Sequence, residues 1–590
     1  MQWLILPAMI LASLLNLLDA DLPLAILLSL TTLAGTWQFA TGRWQMGAFP
    51  APLSWCVLLF GLWICVSTLW SETPFDSWRM ISIWLLLPVW TWQLASLEPR
   101  KLKPVLLGVS AIVFLLALIA YSQLGLGIAD PNFRPPSLFA NPNTFAALLV
   151  ATILPLQYLW LGRAAEIKNN FVKVAAGLLL AVLFGALVLT VSRIALLGYA
   201  VFTVIQVALL RDLVKTHWRW VLGYFVVLAL VYFSINTGTD DLVDRRIGYI
   251  THPISTSERL LVWQTAWASY LQAPLFGHGF AALSVPYAAL RQHDDGTYGQ
   301  FAHSDLLQYL AELGPLGLGI AIAMAISFLV MTIQRVRAGF ANPNDRLWFI
   351  GVSWGVFVTI GAATVTYVLY LPAILLITAL LLGLWSSLYW AHESEPLPQV
   401  RKPVTAAVFA VVMGLFISLH LSGLMSTYAD MSLRQHVLKD HLKWNLLASH
   451  MSFDLNPQVL IEWEDVLMAQ ASQDKKPEQF AQAEHLLTRL ERLQPSLPQL
   501  WLQRARYDLA RGEYDLAETH LRHSIALDPV FLEGRVMLGR LLRETNNGDE
   551  ADALYADALK WKAIRDKYGI KTVEELQTRE RNLPRLTKSR

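Results

Sequence analysis

Charge is scarce in this chain. Asp, Glu, Lys and Arg together make up 15% of its 590 residues, where a soluble domain carries about 25%. With 55% hydrophobic residues and a mean hydropathy of +0.44, a soluble globular protein is excluded and a polytopic membrane protein is expected. The charge that is present balances to a formal +2. Its Lys and Arg are scattered rather than gathered on one face, which excludes a nucleic-acid binder. Cysteine is nearly missing too. Cys56 and Cys65 share one apolar stretch, where a helix would set them about 13.5 Å apart along its axis and on opposite faces, so they cannot pair. No paired-carboxylate spacing suggests a divalent-cation site and no His-x-x-x-His spacing suggests zinc, so no metal or cofactor is expected.

Apolar runs, by contrast, are abundant. A bilayer crossing takes about 20 residues, and runs of that order occur over 3–19, 22–40, 52–70, 79–97, 104–122, 143–162, 172–191, 193–210, 218–236, 314–333, 347–364, 366–390 and 403–423. The first lacks a basic flank and a small-residue cleavage site, so it reads as a retained span. The fold class that follows is all-α: a polytopic membrane protein of about 12–13 transmembrane helices, with a large loop at 237–313 and a soluble helical domain at 424–590. Lys and Arg concentrate in alternate loops: Arg43; Arg100, Lys101 and Lys103; Arg163 and Lys168; Arg211, Lys215 and Arg219; Arg335, Arg337 and Arg346; Arg401 and Lys402. Those loops should face the cytoplasm. The loops at 71–78, 123–141 and 237–313, the Ser192-Arg193 turn and the tail after 423 should lie opposite; an even number of spans would move the tail to the cytoplasm.

Several residues in the outward set invite a chemical reading. His303 stands where the 237–313 loop returns to an apolar helix, in His303-Ser304-Asp305-Leu306-Leu307 followed by Glu312-Leu313-Gly314. An imidazole, with an ordinary pKa of about 6.5, suits a general base near neutral pH. Glu312, nine residues on, would lie on the opposite helical face from His303, so it is expected to hold the junction or touch an acceptor. Arg193 follows Thr190-Val191-Ser192 at a span end where positive charge is disfavoured. Its guanidinium could bind phosphate oxygens in bidentate fashion, or snorkel at the helix end. Arg259 and Trp263 are four apart, on one face of a helix; Arg259 could serve a ligand, or cap the helix. The loop leads from Asp240, Asp241, Asp244, Arg245 and Arg246 to Gly277-His278-Gly279-Phe280, which predicts an ordered subdomain. Asn141 before Pro142 suits an N-cap with proline at the first helical position.

These motifs resemble those of the O-antigen ligase and polymerase superfamily of bacterial membrane glycosyltransferases, which includes protein O-oligosaccharyltransferases. The resemblance rests on the His303 segment, on Ser257-x-Arg259-x-x-x-Trp263 followed by Pro274-x-x-Gly277-x-Gly279, and on Ser192-Arg193. It covers about residues 120–390. It implies an inner-membrane enzyme, residues 1–423, whose site faces the periplasm, moving a glycan from a polyprenyl (undecaprenyl) diphosphate donor to an acceptor hydroxyl with inversion and without metal. His303 would be the base, and Arg193, Arg259 and Arg134 would bind the donor diphosphate. Asn141 and Asn143, in an Asn-Pro-Asn segment like those that floor the donor site in relatives, would support it with Glu312. The acceptor could be lipid A core, a protein such as a pilin, or another polysaccharide. Asn-Pro-Asn departs from the Gln-Pro-Asn of general protein transferases, so ligase-type transfer ranks first.

The tail turns charged and amphipathic. Pro498-Gln499-Leu500-Trp501, Ala505, Gly512, Tyr514, Ala517, Ser524 and Pro529 fit a 34-residue tetratricopeptide unit, and Ala483, Pro495, Leu538-Gly539, Ala551 and Ala558 keep the period within about 464–563. Stacked helix pairs offer a groove for a protein partner, or a helical cap. Two other functions stay open: a polymerase extending lipid-linked repeat units, and a non-enzymatic transporter, flippase or scaffold. A coupled carrier should hold charge at the centre of its spans; here charge concentrates in loops and at span ends.

Overall fold

The computed structural model describes all residues except 1, 16–19, 44–48, 125–133, 164–166, 168, 239–252, 298, 391–401, 436, 475–476 and 584–590. The charged run from Asp240 to Arg246 and two orienting cations, Lys168 and Arg401, therefore lie outside the described residues. The elements formed among the described residues are helices, with no strand. Nine described helices, from Asp21–Thr41 to Pro403–Arg434, are long and apolar enough to cross a membrane, and Gln2–Ser13, Ala51–Ser67 and Arg193–Leu209 are shorter apolar helices. The chain is a multi-pass α-helical membrane protein.

Among the expected runs that differ in detail, two are broken or shortened at a proline. The 79–97 run is divided at Leu85 into Pro74–Trp84 and Leu86–Ala95. Pro88 has no N–H to offer the carbonyl four residues back, at Trp84, which ends the first helix there. The 366–390 run forms a helix only over Pro372–Tyr389, starting at a proline whose fixed φ suits the first helical position.

The chain divides into two compact units. The first comprises 1–61, 82–253 and 319–417. In it, Pro142–Arg163 packs closely on Pro343–Ala363 because glycine removes the side chains at the crossing. A Cβ on Gly351 would meet Leu159 at 3.3 Å, and one on Gly355 would lie 2.7 Å from the Ala151 carbonyl oxygen and 3.0 Å from Pro155. Small residues four apart give membrane helices this approach. The short Arg193–Leu209 helix is held to Pro142–Arg163 and Trp218–Gly238 by an uncharged buried network. Gln157 Nε2 donates to Thr203 Oγ1 at 3.0 Å and to Gln206 Oε1 at 3.1 Å. The Tyr224 and Tyr199 hydroxyls both donate to Gln157 Oε1, and Gln206 Nε2 donates to the Leu154 carbonyl. Polar groups removed from water need such partners, and here they fix the helix that begins with Arg193.

The second unit comprises 62–81, 254–318 and 418–590. It contains the described part of the long loop, with helices Pro253–Gln272 and Ser284–Leu290, and the helical tail. In the tail, Pro498–Arg511 packs with Tyr514–Leu527, and Leu532–Glu544, which starts 34 residues after Pro498, packs with Gly548–Ala558. The small residues of the period do close-packing work: Ala483, Ala505, Ala517, Ala551 and Ala558 are all fully buried, and the Tyr555 ring lies against Gly539.

Gly355→Ala is expected to overpack the crossing and destabilise the protein by about 1–3 kcal/mol, read as a lower thermal-unfolding midpoint in detergent. Gly361→Ala, whose Cβ would meet nothing within 4 Å, should not lower the midpoint. Equal behaviour of the two variants would refute the assignment of Gly355 to a tight contact.

Candidate functional site

The second unit places His303 at the entry of the Asp305–Ala338 helix. Ser304 serves as the cap: its Oγ accepts from the Leu307 N–H at 3.4 Å and its carbonyl accepts from the Gln308 N–H at 2.9 Å. Asp305 adds negative charge to the first turn, where the helix dipole favours it. His303 itself has φ 52°, a left-handed conformation that a side chain tolerates only when its surroundings enforce it. Because the helix starts at Asp305, the helical relation expected between His303 and Glu312 does not arise.

Glu312 instead holds the junction together. Its side chain is fully buried. Oε2 accepts from the Ala281 N–H at 2.9 Å, and Oε1 accepts from Gln308 Nε2 at 2.9 Å. Gln308 Oε1 in turn accepts from the Ala302 N–H at 3.0 Å. A continuous set of hydrogen bonds thus runs from Ala281 through Glu312 and Gln308 to the residue before His303. Main-chain bonds reinforce it: the His278 N–H donates to the Ala311 carbonyl at 3.1 Å and the Gly279 N–H to the Glu312 carbonyl at 2.8 Å. This approach needs glycine. Gly277 and Gly314 both have positive φ, and a Cβ on either would run into backbone, at Glu312 and at Leu275 respectively.

Two histidines in this unit are tuned in opposite senses. His278 places Nδ1 2.7 Å from Glu72 and Nε2 2.9 Å from the Ser269 carbonyl. Burial disfavours its charge, but these bonds and the nearby carboxylates of Glu72 and Glu312 outweigh that and raise its pKa above 6.5. His303 is half-buried, and burial followed by the Arg259 cation pushes its pKa below 6.5, against the opposing pull of Asp295. Its ring therefore stays neutral through neutral pH, as a proton acceptor must. Asp295 is itself buried, accepting from the Tyr287 hydroxyl at 2.5 Å and from the Thr297 N–H at 2.8 Å.

The remaining candidates lie in the first unit. Asn141 caps the Pro142–Arg163 helix, its Oδ1 accepting from the Asn143 N–H at 2.8 Å, and it shares a hydrogen bond with Tyr367. Arg134 donates through Nε to the Thr190 carbonyl at 2.7 Å and through Nη2 to Asn143 Oδ1 at 2.9 Å. Its guanidinium therefore straps the 134–143 loop to the Thr190–Ser192 turn. That turn is tight, with Val191 at φ 48°, and it delivers Arg193 as the first residue of its helix. Arg134, Asn141, Asn143 and Arg193 thus belong to one unit, and Arg259, His303 and Glu312 to the other.

Asp295, His278, Glu72 and Gln308 were not singled out as site residues by sequence. Only Gln308 carried a visible signal, four residues before Glu312 and so on the same helical face. Among the described residues, no group of His, Cys, Asp and Glu could hold a metal ion.

Residues 178–322 match the protein family described as O-antigen ligase. That stretch includes Arg193, Arg259, His303 and Glu312, and stops short of Arg134, Asn141 and Asn143. No curated protein matches the chain. The family match points to a membrane glycosyltransferase or ligase.

A depressed value for His303 means that the unfolded chain binds its proton more tightly, so the stability contribution is lost as pH falls from 6.5 through the folded value. Carbethoxylation of His303 by diethyl pyrocarbonate, followed by mass spectrometry, should reach half its maximal rate below pH 6.5. Removing the cation with Arg259→Gln should move that midpoint up, and removing the anion with Asp295→Asn should move it down. Midpoints that do not move would show that neither charge acts on the ring.

Proposed function

We propose that the protein transfers a glycan from a polyprenyl diphosphate carrier to an acceptor hydroxyl on the periplasmic side of a bacterial inner membrane, as O-antigen ligases do. The observation that supports this most directly is the placement of His303 at a loop-to-helix junction fixed by Glu312 and Gln308, inside the stretch that matches the family, where burial and Arg259 lower its pKa. In this reading the acceptor O–H gives its proton to His303 as its oxygen attacks the anomeric carbon. The bond from that carbon to the diphosphate breaks, with inversion, and the diphosphate departs with the electron pair.

Charge on the leaving group needs positive partners already in place. Arg193 and Arg259 are assigned that role, with Arg134 as a further ligand whose bonds to Thr190 and Asn143 also shape the loop. Asn141 and Asn143 floor the donor site through the cap they form. Glu312 acts at one remove, positioning the His303 backbone through Gln308. The tail supplies tetratricopeptide-like helix pairs, a form suited to meeting an acceptor protein. Ligase-type transfer, to lipid A core or another acceptor, is the first reading; transfer to protein and extension of a lipid-linked chain are outcomes of the same assay.

Inner-membrane vesicles given a labelled polyprenyl-diphosphate oligosaccharide should transfer label, and His303→Ala should lower the rate by about 10²–10⁴-fold at unchanged expression. Arg193→Ala should weaken donor use as well as turnover. The labelled fraction, whether lipid A core, protein or longer lipid-linked glycan, names the acceptor. A variant at position 303 that works at the wild-type rate would remove His303 from the mechanism, and a wild type inactive on every acceptor would refute the transferase reading.

A further inference from the structure

The turn that carries Asp295 is gripped by the far end of the chain. The His293 ring stacks on Trp561, with centroids 4.2 Å apart and planes at 28°. The His293 carbonyl accepts the Lys562 N–H at 2.7 Å. Two residues beyond Asp294, Gly296 lies against the Lys562 and Asp566 side chains, so closely that a Cβ would come within 2.9 Å of Asp566 Oδ2. Arg291, on the same turn, is near enough to Asp528 for its charge to act on that carboxyl. Trp561 is no loose surface residue, since it belongs to a buried apolar cluster with Tyr555, Ile564 and Leu576. The grip is therefore anchored in the folded core of the tail.

The other side of the turn leads to the site. Asp295 is tied to Tyr287 and Thr297, and its charge reaches His303. We propose that the C-terminal helices form a built-in clamp on the catalytic loop, in which Trp561 and Lys562 hold His293 and so fix the Asp295 turn beside His303. Trp561, Lys562 and His293 are positioning residues, acting through Asp295. The proposal rests on the reading of His303 as general base, and it gives the tail a part in turnover that a remote recruiting module would not have.

The local geometry offers a clean test. Lys562 is the first residue of the Lys562–Tyr568 helix, and Trp561 before it is extended, at φ −80° and ψ 113°. Proline is accepted at that helical position and favours an extended predecessor. Lys562→Pro therefore deletes the N–H that His293 accepts while leaving the helix intact; Lys562→Ala removes the side chain and keeps the N–H. His293→Ala removes the stacked ring without touching the core of the tail.

In full-length protein in nanodiscs, Lys562→Pro and His293→Ala should each speed hydrogen exchange over residues 291–304 and lower kcat by about five-fold, the scale of one hydrogen bond or one ring pair, with donor KM unchanged. Lys562→Ala keeps that bond and loses only the side-chain packing on Gly296, so in both respects it should stay closer to wild type than Lys562→Pro does. The charged groups acting on His303 are Arg259, from the Pro253–Gln272 helix, and Asp295, from the turn. Losing the hold on Asp295 withdraws a charge that favours the imidazolium, so the acid limb of the rate profile should move to lower pH. Wild-type exchange in both clamp variants, or faster exchange with kcat and the acid limb unmoved, would overturn the proposal. Absence of transfer by the wild type would instead count against the transferase reading, and the exchange data would still decide whether the clamp exists.

Discussion

A carboxylate wholly removed from solvent has to find its donors inside the protein, and Glu312 finds them on two separate segments: the Ala281 N–H and the Gln308 side chain. Leaving such a group unpaired would cost several kcal/mol, so the segments are bound to each other through it. The helix beginning at Asp305 is thereby tied to the 277–281 turn, and Gln308 passes the constraint to Ala302. The left-handed conformation of His303 follows, because the chain must leave Ala302 and enter a capped helix within two residues. Glycines 277 and 314 are the complement of the same requirement, since a side chain at either would keep the turn and the helix apart.

On this frame, electrostatics separates two residues of one chemical kind. His278 faces Glu72 and a carbonyl and holds its proton more firmly. His303 faces burial and the Arg259 cation and gives its proton up more readily. The first is a fastening between distant segments, and the second keeps its ring neutral near neutral pH. Environment divides the roles, as it does wherever paired titratable groups carry out acid and base work.

Sequence disclosed what depends on near neighbours. The Asn141-Pro142 cap, the junction at His303 and the Pro498 to Leu532 spacing are local or periodic, and they stand in the structure where the residues put them. The break at Leu85 was missed because the 79–97 run is apolar throughout, and hydropathy does not register a proline's absent N–H. The Gly351 and Gly355 crossing was equally silent, as glycine says nothing of what it faces. Asp295 and the pairing of His278 with Glu72 depend on contacts between residues distant in sequence or embedded in an irregular turn, where no period exists to read. The stack of His293 on Trp561 was beyond any local rule for the same reason: the two rings meet only after both segments have folded.

The buried network around Gln157 has a consequence for energetics in the cell. Its members, Gln157, Thr203, Gln206, Tyr199 and Tyr224, carry amides and hydroxyls in place of formal charges. A membrane potential acts on a displaced unit charge with about 2.3 kcal/mol per 100 mV, but a rearrangement of these groups displaces no unit charge. The bonds that secure the helix presenting Arg193 thus hold no unit charge for that potential to act on.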